Sequence, residues 1–161
     1  MDAVDHLDLV VTDLERSLVF YRGLLGPLGW TRQTEIEGER GERVVYLGRH
    51  SPGPSLSLRA AQSPARPAPY DRYAVGLHHL AFGASSRDVV DERAAWAAAH
   101  GAELESAPRE YSYSPGYYAV FLHDPDGLKL EVVHVPAERA LARGLAQLEG
   151  RPTVLKAPGE A

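Results

Sequence analysis

The 161-residue chain contains no cysteine, which excludes disulfides, thiolate metal ligands and a cysteine nucleophile. It has no apolar run approaching the roughly 20 residues that a membrane span needs, so no membrane partner is expected. The opening segment MDAVDHLDLVV lacks the basic flank and long apolar stretch of a secretory signal, and a cytoplasmic location is expected. Lysine and arginine form no basic stripe, and the formal net charge is −5. That argues against nucleic acid as a partner, because phosphate neutralisation supplies most of such binding. What remains is ordinary for a globular protein, with 44% hydrophobic and 24% charged residues. The length suits one compact domain or two small modules sharing a core.

Residues 4–11, VDHLDLVV, are rich in apolar and β-branched types and predict a strand. In TDLERSLVFYRGLLGPLGW, Thr12 or Asp13 can cap a helix. Leu14, Leu18, Tyr21 and Leu25 recur there at helical spacing, and Gly26-Pro27 ends the run. Strands are predicted at 29–37, 43–49 and 55–61. Residues 62–74, QSPARPAPYDRYA, carry three prolines and no apolar period, which marks a linker. The same order then returns. A strand is predicted at 75–84, a helix in SSRDVVDERAAWAAAHG ending at Gly101, and strands at 102–110, 116–123 and 128–135. Residues 137–149 predict an added amphipathic helix with Leu141, Leu145 and Leu148 on one face, followed by a loose tail. The expected organisation is a βαβββ module over 1–61, a linker over 62–74, a second βαβββ module over 75–135, and a C-terminal helix and tail over 136–161.

The two modules open alike, with HLDLVVTD at 6–13 and HLAFGASS at 79–86, an offset of 73 residues that suggests duplication. Strand alternation puts His6 with Asp8 and Val10, and His79 with Leu77 and Ala81, opposite His78. In DPDGLKLEVVH (124–134) it groups Lys129, Glu131 and Val133. Under pseudo-symmetry His6 and His79 hold equivalent places, and Glu131 enters the same cavity from a neighbouring strand. Two imidazoles and a carboxylate make a facial ligand set with open positions for substrate or water. Taken singly, each has an ordinary structural role, as a hydrogen-bonded histidine or a solvated glutamate on an edge strand. Repeat position combined with strand face selects these three. His78, His50, His100, His123 and His134 are not expected to be ligands, since they lie on the opposite face, in loops or at helix ends.

Together, DHLDLVVTDLERSLVFYRGLLG, HHLAFGA and YYAVFLHDPDGLKLEVVH resemble the vicinal oxygen chelate superfamily. This is the group of glyoxalases, extradiol dioxygenases, fosfomycin-resistance transferases and bleomycin-binding proteins. The resemblance covers about residues 4–135. It implies an α+β fold in which two βαβββ modules form a curved eight-stranded cup around a divalent metal, Fe2+, Zn2+, Ni2+ or Mn2+. It also implies His6, His79 and Glu131 as the ligands, with His79 favoured over His78 because HLAF keeps the family register. Glyoxalase-type members carry a fourth ligand, Glu or Gln, on the last strand of the first module. SLSLRAA puts Ser57 there, a departure that favours the three-ligand, dioxygenase-like or transferase-like branches. Transferase members are expected to carry a small hydroxyl residue two positions after the first histidine, where this chain has Asp8. Modules of this family pair within one chain or across a dimer, and a homodimer is expected.

The stretch PREYSYSPGYY (108–118) holds four tyrosines. Tyr113 and Tyr117 are the candidate functional pair, able to hydrogen-bond a substrate oxygen or act as acid or base. As strand aromatics they would equally serve packing. Asp8 is a further candidate base. Arg59 shares the face of Ser57, and the two are the candidate substrate-binding residues, although an exposed arginine is as readily solvated. Two functions are compatible with these residues. One is a metal-dependent dioxygenase or lyase/isomerase acting on a small oxygen-rich metabolite. The other is a non-catalytic protein that sequesters a small molecule, such as an antibiotic, in the same cup.

Overall fold

The βαβββ order expected from the sequence, repeated twice, is the order of the computed structural model, which describes residues 4–63 and 70–136. The first repeat is β1 (His6–Val11), α1 (Leu14–Leu25), β2 (Arg32–Glu37), β3 (Arg43–Gly48) and β4 (Ser55–Ala60). The second is β5 (Leu80–Gly83), α2 (Arg87–Ala99), β6 (Arg109–Glu110), β7 (Tyr118–His123) and β8 (Lys129–His134). The fold is α+β, with the strands in two four-stranded sheets, β1-β4-β3-β2 and β5-β8-β7-β6. Each sheet is mixed and open: β1 runs parallel to β4 and β5 parallel to β8. Two compact units result. Of the described residues, one comprises those up to Gly76 together with His123–Leu128, the other Leu77–Leu122 and those from Lys129 to Pro136. No helix among the described residues is long and apolar enough to cross a membrane.

In the first unit Asp13, not Thr12, caps α1: its carboxylate accepts the Arg16 N–H at 3.0 Å. Leu18, Tyr21, Leu24 and Leu25 of α1 are fully buried. A short 3-10 turn at Gly26–Leu28 follows, and Gly29 leaves it at φ +89°, a left-handed conformation that glycine adopts without a Cβ clash. Leu56 and Leu58 of β4 are buried on one face of that strand, while Ser57 and Arg59 alternate to the other. The turn at Asp124–Gly127 also belongs to this unit. Asp124 accepts the N–H groups of Asp126 at 2.9 Å and Leu128 at 2.8 Å, and the Tyr21 hydroxyl at 2.8 Å. Asp126 in turn accepts the Thr12 N–H at 2.9 Å. Thr12 therefore holds the turn, and the helix cap falls to its neighbour.

In the second unit Ser86 caps α2 by accepting the Val89 N–H. Val90, Ala94 and Ala97 are the buried apolar residues of α2, and Leu130 and Val132 the buried apolar residues on one face of β8. Two strands are shorter than expected. β5 begins at Leu80, not at 75, after Gly76 at φ +150°. The strand expected at 102–110 is reduced to Arg109–Glu110 and an isolated bridge between Leu104 and Leu122. Pro108 has no N–H to donate to a ladder and interrupts the pairing. The helix expected at 137–149, the tail after it and residues 64–69 of the linker lie outside the described residues.

Tyr21→Phe leaves the buried Asp124 carboxylate one donor short and is expected to cost about 1.5–3 kcal/mol in urea denaturation at neutral pH. Burial first, then the charge of Asp124, pushes the Tyr21 phenol well above its usual value. Because the folded value exceeds the unfolded one, the phenol's contribution is complete below about pH 10 and is lost as pH rises further. The variant should therefore lose less stability than the parent between about pH 9 and 11. An equal loss would contradict this.

Candidate functional site

β8 leaves the Asp124–Gly127 turn in a fixed register, Gly127 taking φ +81° and its N–H reaching the Asp124 carbonyl at 3.0 Å. That register pairs Glu131 with Ala81 of the parallel neighbour β5. The Glu131 side chain is 2% exposed. Its Oε2 lies 3.2 Å from His79 Nε2, and its Oε1 accepts the Tyr117 hydroxyl at 2.5 Å. A buried carboxylate is costly unless it is hydrogen-bonded or paired; here both oxygens have neighbours of the right kind.

These groups face a cavity of about 290 Å³, lined by His78, His79, Tyr113, Tyr117, Phe121, Lys129 and Glu131, all in the second unit. Its wall is aromatic. Tyr113 stacks on Tyr111 and meets the edge of Tyr117, and Phe121 meets the edge of His79. Lys129 Nζ lies 4.2 Å from the centre of the Phe121 ring and 2.7 Å from Glu105, so its charge is balanced within the wall. Burial, followed by the charge of Glu131, raises Tyr113 above the ordinary phenol value. Tyr113 is thus protonated at neutral pH, with a hydroxyl hydrogen available to donate.

The expectation that alternation separates His78 from His79 fails. Both precede β5, so strand geometry does not apply to them. Their Nδ1 atoms are 2.7 Å apart, and both rings line the cavity. One ring must donate to the other, which couples their tautomers. Lys129 and Phe121 were also missed as lining residues. The signal for Lys129 was its place two residues before Glu131, on the same strand face.

The first unit carries the equivalent positions with different chemistry. Asp8 pairs with Ser57 as Ala81 pairs with Glu131, and Asp8 stands two residues after His6 as Ala81 stands two after His79. Ser57 thus occupies the counterpart of Glu131, and its strand neighbour Asp8 brings the carboxylate instead. The fully buried Ser57 hydroxyl donates to Asp8. Arg59 bonds Asp8 at 2.6 Å and Glu42 at 2.9 Å. Asp8, named as a candidate base, and Arg59, named as a candidate anion binder, therefore engage each other. His6 is exposed, and its Nδ1 lies 2.9 Å from Asp5 Oδ1; that hydrogen bond raises its pKa. The structure thus brings His79, Glu131, Tyr113 and Tyr117 together in the second unit, and His6, Asp8, Ser57 and Arg59 belong to the first. Among the described residues no group of three or more His, Cys, Asp or Glu side chains is placed to hold a metal ion.

Paired βαβββ modules, with a histidine opening the second and a carboxylate on its last strand, define a vicinal oxygen chelate fold. The model of the Glyoxalase/Bleomycin resistance protein/Dioxygenase superfamily matches residues 3–132, and the chain belongs to that superfamily. It is 33% identical over 130 residues to the Bacillus subtilis (strain 168) protein YqjT, covering 80% of this chain and 95% of that one. A glyoxalase/bleomycin resistance protein from Albidiferax ferrireducens T118 superposes with a TM-score of 0.62 at 25% identity, over 83% of this chain and all of that one. The fosfomycin resistance protein FosX from Mesorhizobium loti shares the fold, with a TM-score of 0.57 at 20% identity over 89% and 99% of the two chains.

Replacing a buried carboxylate by its neutral isostere removes a desolvation cost. Glu131→Gln is expected to leave the metal-free protein as stable as the parent, or more stable by about 1–2 kcal/mol, in chemical denaturation. A loss of more than about 2 kcal/mol would show that the carboxylate is retained for stability.

Proposed function

We propose that the protein is a divalent-metal-dependent enzyme of its superfamily, acting on a small molecule that presents two neighbouring oxygens to the metal. The observation that carries this is the buried Glu131 carboxylate facing a cavity beside His79 Nε2, 3.2 Å away. Two donors each about 2.0–2.2 Å from one ion stand roughly 3 Å apart, so this pair fits a divalent metal. Imidazole and carboxylate suit iron, zinc, nickel or manganese. In the proposal His79 and Glu131 are two of the ligands, both supplied by the second unit. A bound metal would supply Lewis acidity to the substrate oxygens and stabilise the negative charge that develops on them.

The remaining roles fall to the chain's own groups. Tyr117 holds one Glu131 oxygen and leaves the other free to ligate. His78 fixes the orientation of the His79 ring through its Nδ1 contact. Tyr113, kept protonated, donates to a substrate oxygen or returns a proton to it. Phe121 and the tyrosines exclude water from one side of the reacting group. Asp8 is neutralised by Arg59 and holds the strand face in place. Ser57 in place of a fourth ligand favours dioxygenase-like or lyase/isomerase-like chemistry over that of glyoxalase I.

The scarcity of clustered ligands among the described residues supports a second function, a binding protein that sequesters its ligand without turnover. The two separate on metal content. As an enzyme, protein purified without chelator carries close to one divalent ion per chain by elemental analysis. Calorimetric titration then shows affinity falling at least about 100-fold in His79→Ala and Glu131→Ala, with loss of any turnover of catechols, hemithioacetals or epoxides. His134→Ala leaves the affinity unchanged. Equal affinity in the parent and the two cavity variants contradicts the proposal, and chelator-insensitive binding of a small molecule favours sequestration.

A further inference from the structure

We infer that the first unit carries a separate binding site for a small tetrahedral oxyanion such as a phosphate group. A second cavity, of about 370 Å³, lies at the end of the sheet where the β3–β4 connection turns, and every residue lining it is in the first unit. Strand register explains its shape. Arg32 pairs with Gly48, and Thr34 with Tyr46, so these four line up across β2 and β3. Gly48 has no side chain, and a Cβ there would approach only Ser55, at 3.8 Å.

The lining is rich in donors. Arg32, Arg49 and His50 border the cavity, with the hydroxyl-bearing Thr34, Tyr46, Ser51 and Ser55. Two other arginines of this unit are neutralised: Arg43 is bound by Glu15 and Glu35, and Arg59 by Asp8 and Glu42. Arg32 and Arg49 have no carboxylate partner among the described residues. Arg49 is instead steadied by the Leu28 carbonyl, which accepts from Nη2 at 3.0 Å and leaves the positive charge uncompensated. The one acidic neighbour, Asp5, shares its carboxylate with His6. Two guanidinium groups without a carboxylate partner among the described residues, and four hydroxyl side chains, offer more donors than one carboxylate can accept from, which favours a phosphate-type group. In a chain with a net charge of −5, such a local excess of positive charge is a contrast that a solvated surface would not require. The site stands independently of the proposed metal, whose donors in the second unit do not line this cavity.

The test uses the full chain and inorganic phosphate, with acetate as the carboxylate comparison, followed by amide chemical shifts. Phosphate should saturate shifts at residues 32–34 and 46–55, bind at least about tenfold tighter than acetate, and weaken with added salt. Arg32→Ala and Arg49→Ala should each weaken phosphate binding by at least about fivefold. Arg22→Ala, which removes an exposed guanidinium bonded to Gln33, should leave it unchanged. Arg32 is exposed on β2, so its variant tests binding without threatening the core. Absence of saturable shifts, equal binding of acetate, or unchanged affinity in Arg32→Ala overturns the inference. Metal affinity measured alongside reports separately on the second-unit cavity.

Discussion

Glu131 is the group around which the second unit is arranged. A carboxylate with 2% of its side chain exposed loses most of its hydration, and an interior recovers that loss only by supplying donors to each oxygen. Tyr117 does so for one oxygen and His79 stands beside the other. The aromatic wall follows from the same constraint, since rings carrying a hydroxyl or an imidazole nitrogen can bury apolar area and still reach an oxygen. Sequence, strand register and cavity chemistry meet at this residue. A one-residue slip of β8 would turn Glu131 toward the packing face and Val132 toward the cavity.

The duplicated fold shows how one backbone register serves two chemistries. In the second unit Ala81, small and apolar, lies beside Glu131. In the first, Ser57 replaces the glutamate and Asp8 replaces the alanine, so the carboxylate has moved to the neighbouring strand. Moved there, it meets Arg59 and becomes part of an ion-pair chain that ends at Glu42. A carboxylate compensated by a guanidinium has little left to offer a cation, whereas one flanked by a phenol and an imidazole does. The units differ in what pairs with the carboxylate.

Much of this was legible in the sequence. α1 could be placed because its apolar period and its Asp13 cap coincide, and Glu131 because a tight turn sets the strand that carries it. The pairing registers of β1 with β4 and β5 with β8 put Asp8 opposite Ser57 and Ala81 opposite Glu131, each two residues after a histidine. Other features depend on contacts that no local pattern encodes. Alternation misplaced His78 because a strand's start is set by its neighbour's register, and β5 finds its partner only from Leu80. The pairing of Asp8 with Arg59 depends on which rungs of β1 and β4 meet. The arginines above Gly48 became visible as a group only once β2 and β3 were in register.

The most direct test of the metal-centred function is the anomalous diffraction of crystals grown with zinc. The expected result is one strong peak within about 2.0–2.2 Å of His79 Nε2 and a Glu131 oxygen. A map with no peak at the His79–Glu131 pair, in crystals whose zinc content is verified by fluorescence, would contradict it.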